Sequence, residues 1–359
     1  MKHKFPYEWT LKDAKFTKDK GTVFSCFACG GGSTMGYKLA GFDVLGCNEI
    51  DPKMIEAYKV NHNPKYAYLE PIQTFKLRKD LPKELYNLDI LDGSPPCSSF
   101  SMAGNREKDW GKEKKFREGQ AEQVLDNLFF DFIDLAKELQ PKVVVAENVA
   151  GLMMGAAKEY VKRIYKAFKD AGYQLRIEPY LLDASTMGVP QRRRRVFFVA
   201  LRNDIAEPFM EQVDMFQSAP KLDLVFNEEP ILFNKIADYK GKMITPHSKM
   251  AWDKRKYGDE NIADSKARVQ GMKVSDYNSK YIYEEKVCNT LVSKCDYFLL
   301  FSKPIRLSKA EVLKISTFPL DYYVKKGKVG YLCGMSVPPV MTAQIASRIH
   351  EQWISKLCN

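Results

Sequence analysis

The chain has 359 residues, 45% of them hydrophobic and 28% charged, enough for a substantial core and, by length, for about two domains. Its net charge of +11 favours a polyanionic partner, and its eight cysteines raise the question of disulfides. The opening Met1-Lys2-His3-Lys4-Phe5-Pro6-Tyr7 leads into no apolar signal region, and no apolar run approaches membrane-spanning length. These features argue against a secreted disulfide scaffold or a membrane protein, and predict a reducing, cytoplasmic setting with free thiols.

Lys12 to Lys20 is rich in charge and reads as a solvated lead-in. Thr22 to Phe27 reads as a strand running into Cys29-Gly30-Gly31-Gly32-Ser33-Thr34, a glycine turn, with Ser33 placed to N-cap a helix that Gly41 ends. Cys26 and Cys29 form a CxxC, but no second pair at zinc-finger spacing and no clustered histidine accompanies it. They read as strand-end residues, and no metal is expected. A second strand, Asp43 to Asn48, ends at Glu49, 19 residues after Gly30. At that spacing an acid meets a ribose lying over the glycine turn, which suits NAD and an adenosyl cofactor equally.

Asp51-Pro52 caps and starts a helix that continues to about His62, and a loop with Glu70 and Pro71 follows. Leu88 to Leu91 is a short buried strand ending in Asp92, and Gly93-Ser94-Pro95-Pro96-Cys97-Ser98-Ser99-Phe100-Ser101 comes next. The prolines end backbone pairing and set Cys97 on a rigid elbow, where a nucleophile gains from a fixed position. The plainer alternative is a small cysteine packed in a turn. From Ala103 to Gln120 the chain is polar and basic with Trp110 and Phe116 interspersed, a loop able to move beside the thiol.

A helix from about Ala121 to Leu139 precedes a strand, Lys142 to Ala146, that ends in Glu147-Asn148-Val149. Another helix, Ala157 to Ala171, precedes strands at Tyr173 to Leu182 and Val196 to Leu201, with Gly188-Val189-Pro190-Gln191-Arg192-Arg193-Arg194-Arg195 between them. This alternation predicts an α/β fold, a doubly wound and mostly parallel sheet whose ligands bind at the carboxyl ends of its strands. The glycine turn, Glu49, Cys97 and Glu147 all fall on that edge. From Ile205 to Lys286 the pattern is lost. Strands at Val287 to Ser293 and Tyr297 to Phe301, a helix over Leu307 to Thr317 capped by Ser308, and an amphipathic helix over Val337 to Ile354 complete the reading.

Together these pieces resemble the DNA (cytosine-5) methyltransferases of bacterial and phage modification systems, in the family's order and over nearly the whole chain. Phe27-Ala28-Cys29-Gly30-Gly31-Gly32 is similar to the cofactor loop, Pro95-Pro96-Cys97 with Phe100-Ser101 to the nucleophile motif, and Glu147-Asn148-Val149 to the ENV motif. Gln191-Arg192-Arg193-Arg194-Arg195 matches QxRxR. Arg306-Leu307-Ser308 with Glu311 and Phe318-Pro319 resembles the segment after the variable region, and Gly334-Met335-Ser336-Val337-Pro338 the final motif. The resemblance implies a class I, Rossmann-like, S-adenosyl-L-methionine-dependent catalytic domain over residues 1–204. It further implies a smaller, irregular target-recognition domain over 205–300 and a return segment over 301–359 that completes the catalytic domain.

It also implies the chemistry. Cytosine C5 is a poor nucleophile, so the Cys97 thiolate adds first to C6. Glu147 hydrogen-bonds or protonates N3, a role that suits a carboxyl whose pKa burial raises, and Arg193 and Arg195 hold O2 and the carboxylate from one strand face. Asn148 and Gln191 belong to the same catalytic motifs. Phe27, Ala28, Gly30, Gly32, Glu49, Ile50, Glu70, Pro96, Leu128 and Ser336 line the cofactor site. The cytosine is flipped out of double-stranded DNA, with the loop after Cys97 closing over it.

Candidate DNA contacts are Ser98, Ser101, Arg106, Lys254, Arg255 and Arg268, with Lys249, Lys256, Lys266 and Lys273 as further cations and Tyr257, Tyr277 and Tyr281 as stacking or wedging rings. A functionally paired restriction endonuclease and action as a monomer are expected. Three positions depart from the family pattern: Cys29 replaces a loop glycine, Met335 replaces an asparagine, and Tyr331-Leu332-Cys333 lacks a glutamine. They predict a reshaped methionine end of the donor pocket. A tRNA cytosine-5 methyltransferase shares the catalytic motifs, but its CFT-type signature is absent. A binding-only regulator would not need the thiol, and an NAD oxidoreductase leaves the Pro-Pro-Cys and arginine runs without purpose.

Overall fold

Apolar strands alternate with helices along the first half of the chain. The structure, a computed structural model, describes residues 3–96, 127–154, 157–215, 217–271 and 279–357. Cys97, Ser98, Ser101 and Arg106, the loop beyond them, the expected helix start at 121–126, and Lys273 and Tyr277 lie outside the described residues. The chain divides into two units. One comprises Phe16–Asp183, Arg194–Val225 and Thr342–Asn359, the other Met1–Lys15, Ala184–Arg193 and Phe226–Met341. These limits differ from the boundaries expected after 204 and 300, because the loop ahead of Arg194 and most of the segment after 300 group with the irregular region.

The first unit contains β1 (Thr22–Cys26), α1 (Gly32–Leu39), β2 (Asp43–Glu49), α2 (Pro52–His62), β3 (Tyr66–Leu69), α3 (Ile72–Phe75) and β4 (Ile90–Gly93). It continues with α4 (Leu128–Leu139), β5 (Val143–Val149), α5 (Ala157–Asp170), β6 (Tyr173–Leu175), β7 (Tyr180–Asp183) and β8 (Arg194–Arg202), then α6 (Asn203–Ala206), β9 (Met210–Gln212) and β10 (Ser218–Pro220). The eight-stranded sheet runs β3-β2-β1-β4-β5-β8-β6, with β7 also on β8. β3, β2, β1, β4 and β5 are parallel, as the crossover helices require. β6, β7 and β8 are antiparallel additions. The single strand expected over 173–182 is two, pairing with different lengths of β8.

Phe24, Leu91, Val144 and Phe198 of the central strands are fully buried against Phe129 and Phe132 of α4. Each such side chain stabilises the fold by about 1.5–3 kcal/mol. Asp51 caps α2 as expected, accepting the N–H of Lys53 and Met54, with Pro52 at the first helical position. Ser33 does not cap α1. Gly31, at φ 94°, is the N-cap, and Ser33 sits one residue inside the helix, where its hydroxyl turns inward.

The second unit contains α7 (Pro246–Trp252), α8 (Ile262–Gln270), β11 (Tyr281–Ile282), β12 (Leu299–Leu300), α9 (Lys309–Ile315) and α10 (Val329–Met335), and α11 (Pro339–Gln352) begins in it. Ser308 caps α9 in a capping box with Glu311. No strand forms over 287–293, where Cys288 makes one isolated bridge to Gln191. Tyr281 is fully buried with Trp252, Ile262 and Leu299, and its hydroxyl meets that of Ser265 at 2.9 Å. It is a core residue of this unit, so the expected stacking or wedging role is corrected. No helix among the described residues is long and apolar enough to cross a membrane.

Gly46 lies where β2 meets β3, and a Cβ there would stand 1.8 Å from the Tyr66 carbonyl oxygen. Gly46→Ala must push these strands apart, so urea denaturation should show a loss of about 3 kcal/mol or more.

Candidate active site

β1 hands the chain to a turn in which Phe27 and Cys29 hold the left-handed region at φ 52° and 49°. Non-glycine residues are uncommon there, and backbone bonds fix them in place: Ala28 N–H donates to Asn48 O (3.4 Å) and Gly31 N–H to Ala28 O (2.9 Å). Ala28, Gly30 and Gly32 are buried, and the half-buried Phe27 ring meets Phe132 edge-on. Glu49, at the end of β2, closes the turn. One carboxylate oxygen accepts the Cys29 N–H (2.6 Å), and the other accepts those of Ile50 and Asp51 (2.8 Å each). Burial raises its pKa, opposed by these three donors.

Glu70 forms an ion pair with Arg78 (2.9 Å) and accepts the Thr74 hydroxyl (3.2 Å). Leu128 is 1% exposed and packs in the main core. Ile50 and Pro96 are half-buried.

β4 and β5 run side by side to the same edge, and Asn148 Nδ2 donates to the Pro95 carbonyl (3.2 Å), tying the β4 exit to the end of β5. One residue earlier, Glu147 accepts the Arg195 Nε–H from β8 at 2.8 Å, with both side chains mostly buried. Burial lowers the Arg195 pKa, and the Glu147 carboxylate opposes that shift.

Within the second unit, Arg193 is 2% exposed and donates to the Leu291 and Gly334 carbonyls (3.1 and 2.9 Å). β8 begins only at Arg194, so the strand alternation expected to group Arg193 with Arg195 does not reach it. Gln191, fully buried, donates to Ile315 O and accepts the Leu291 N–H. Gly334 packs so closely on the chain at Val292 and Ser293 that a Cβ would lie 2.3 Å from the Val292 carbonyl carbon. Ser336 is 4% exposed, and its hydroxyl has no hydrogen-bond partner among the described residues, a condition that a ligand's polar group would relieve. Met335 is half-exposed at 38%.

Among the candidate DNA contacts, Lys254 is exposed. Arg255 donates to the Phe301 and Trp252 carbonyls and lies over the Trp252 ring, while Arg268 pairs with Asp259. Tyr257 is 69% exposed. Sequence reasoning missed the buried hydroxyls that surround Asp92. Their one signal was an acid closing an apolar strand.

A β3-β2-β1-β4-β5 sheet with antiparallel additions and acids at the ends of β2, β4 and β5 defines a class I S-adenosylmethionine-dependent methyltransferase fold. The chain belongs to the C-5 cytosine-specific DNA methylase family, whose profile matches residues 21–351. It is 36% identical over 183 residues to the type II methyltransferase M.FnuDI of Fusobacterium nucleatum, covering 51% of this chain and 47% of that one. Against M.MthTI of Methanothermobacter thermautotrophicus the identity is 27%, covering 92% and 97%. The chain spans about half the length of M.FnuDI and of M.NgoPII from Neisseria gonorrhoeae (47% and 50%).

Among solved structures, a methyltransferase assigned to DNA modification and encoded within an E. coli prophage superposes with a TM-score of 0.62 at 19% identity, covering 92% of this chain and 99% of the other. A DNMT2 mutant of Spodoptera frugiperda superposes at 0.59 and 17%, covering 92% and 98%.

Glu147→Ala would leave Arg195 mostly buried without its counter-charge. Urea denaturation should show a loss of about 3 kcal/mol, with a smaller loss for Glu147→Gln, which keeps a hydrogen-bond acceptor.

Proposed function

We propose that this chain is a DNA (cytosine-5-)-methyltransferase that modifies a specific double-stranded site, serving restriction-modification or the protection of phage or host DNA. The observation that carries the reading is the Glu147–Arg195 pair at the end of β5, joined at 2.8 Å. A carboxyl and a guanidinium held together there suit the two polar edges of a cytosine. Glu147 would bond N3 and drain electrons from the ring, and Arg195 would hold O2 while keeping the carboxyl oriented.

The Cys97 thiolate would add to C6, making C5 enamine-like, and Asn148 would position the Pro95-Pro96 exit from which Cys97 follows. S-adenosyl-L-methionine, when bound, supplies the electrophilic methyl group. The buried Glu49 carboxylate fits a ligand with ribose hydroxyls, with Phe27, Ala28, Gly30, Gly32, Ile50 and Pro96 as further contacts. Within the second unit, the Ser336 hydroxyl, unpaired among the described residues, by itself suits a ligand's polar group. After methylation the C5 proton passes to water acting as base, the C5–C6 double bond re-forms and the Cys97 thiolate is expelled, restoring the enzyme.

Arg193 and Gln191, bonded to main-chain carbonyls and amides, would set the shape of their loop. Ser98, Ser101 and Arg106 would meet DNA from the segment after Cys97. In the second unit Lys254 would also meet DNA, supported by Arg255 and by Arg268, which bonds the Lys254 carbonyl. The protein would act in the cytoplasm as a monomer, with a paired restriction endonuclease as functional partner.

The test is a covalent trap with pools of 5-fluorocytosine duplexes and S-adenosylmethionine. Without a C5 proton to remove, wild type should stay attached through denaturation and Cys97→Ser should not, and the recovered DNA would name the site. Trapping on fluorinated RNA alone would move the substrate to tRNA, and no adduct on either would sink the proposal.

A further inference from the structure

Asp92 is a buried acid to which the reaction above gives no task. It is 4% exposed at the end of β4, and no cation pairs with it among the described residues. One carboxylate oxygen accepts the hydroxyls of Ser33 (2.7 Å) and Ser25 (3.2 Å), and the other accepts that of Tyr37 (3.2 Å). The bonds continue outward. Thr34 donates to Ser25 (3.2 Å), and its hydroxyl meets that of Tyr58 (3.0 Å), so the network joins β4, β1, α1 and α2.

Next along β4, Gly93 lies under Phe132, where a Cβ would come within 2.6 Å of the ring, and Asn148 holds the Pro95 carbonyl. Ser33 stands directly after the three glycines of the turn. A packing role alone would favour a neutral side chain here, because an anion so enclosed is disfavoured unless its hydrogen bonds are needed.

We propose that Asp92 is a positioning residue. Its carboxylate gathers the hydroxyls of Ser25, Ser33 and Tyr37 and so fixes the glycine turn and the first turn of α1 against β4, giving the donor site its shape. This rests on the reading of that turn as the methyl-donor site. Three donors converging on two oxygens suit a carboxylate. An asparagine presents an N–H where one oxygen stood, so at least one hydroxyl loses its acceptor and the start of α1 is released.

Burial pushes the Asp92 pKa up to about 6 against those three hydroxyls. Among the described residues, the titratable groups facing it are Tyr37 of α1, Cys26 of β1 and Glu147 of β5. Because the fold raises this pKa, the stability it contributes is fully present below the ordinary carboxylate value of 3.8 and is lost as pH rises through about 6. At pH 8 the anion is held at a cost to folding that Asp92→Asn removes. A residue kept for donor binding therefore has a distinctive signature: its neutral variant binds worse without being less stable.

The experiment is calorimetric titration of wild type, Asp92→Asn and Ser33→Ala with S-adenosylhomocysteine at pH 8, beside urea denaturation at pH 5 and pH 8. Asp92→Asn should match or exceed wild-type stability at pH 8, lose that advantage at pH 5, and bind about tenfold more weakly, the scale of one lost hydrogen bond to a charged group. Ser33→Ala, which keeps the anion and removes its shortest bond, should weaken binding by about the same factor. Binding within twofold of wild type by both variants would overturn the proposal, as would an Asp92→Asn protein that unfolds at pH 8. Wild type that binds no S-adenosylhomocysteine would overturn the donor-site reading itself, a failure seen before any substitution is made.

Discussion

A carboxylate taken out of water has to be held by something, and the parallel sheet holds three of them along one edge in three different ways. Glu49 is held by main-chain N–H groups, Asp92 by hydroxyls, and Glu147 by a guanidinium. Each arrangement follows from its neighbours. The turn from β1 and the start of α2 bring free N–H groups to the end of β2, where α2 has no carbonyls to offer them. α1 lays its serine and tyrosine over β4. β8, running antiparallel beside β5, brings Arg195 opposite the end of the strand that carries Glu147. The identity of the strand next door therefore decides which acid receives a counter-charge and which receives only dipoles.

The second unit solves a different problem. Its chain is largely irregular, so main-chain carbonyls that a sheet would pair need other donors. Arg193, Gln191 and Arg255 supply them, each bonding carbonyls distant in sequence. In the same unit the Glu311 carboxylate accepts the N–H groups of Asp238 and Tyr239 while closing the capping box of α9. Guanidinium groups suit this work because their donors diverge in a fixed plane.

Local and periodic features were readable from the sequence. β1, β2, β5 and β8, the Asp51-Pro52 and Ser308 caps, and α11 lie within a few residues of their expected places, because burial and capping are properties of short stretches. The Ser33 cap failed because the helix is capped two residues earlier, by a glycine at φ 94° that accepts the left-handed region without strain. What seals its fate is Asp92, 59 residues away, whose oxygen takes the hydroxyl. Alternation does not group Arg193 with Arg195, because it is a property of a strand and β8 begins only at Arg194. Arg255 and Arg268 read as DNA contacts by type, and Tyr281 as a stacking or wedging ring. The carbonyl bonds of Arg255, the pairing of Arg268 with Asp259 and the burial of Tyr281 depend on which segments of an irregular chain meet, which no local pattern encodes.

The close approach of Gly334 to Val292 and Ser293 bears on how such a chain can be re-engineered. Arg193 bonds the carbonyls on either side of this approach, and Gln191 bonds the Leu291 amide, so Leu291 to Ser293 is locked to the final motif by bare backbone. A graft that exchanges the irregular region for that of a relative would therefore do best to place its downstream junction before Leu291. Cut later, the transplanted chain would import a foreign backbone path into a contact with no side-chain slack to absorb it.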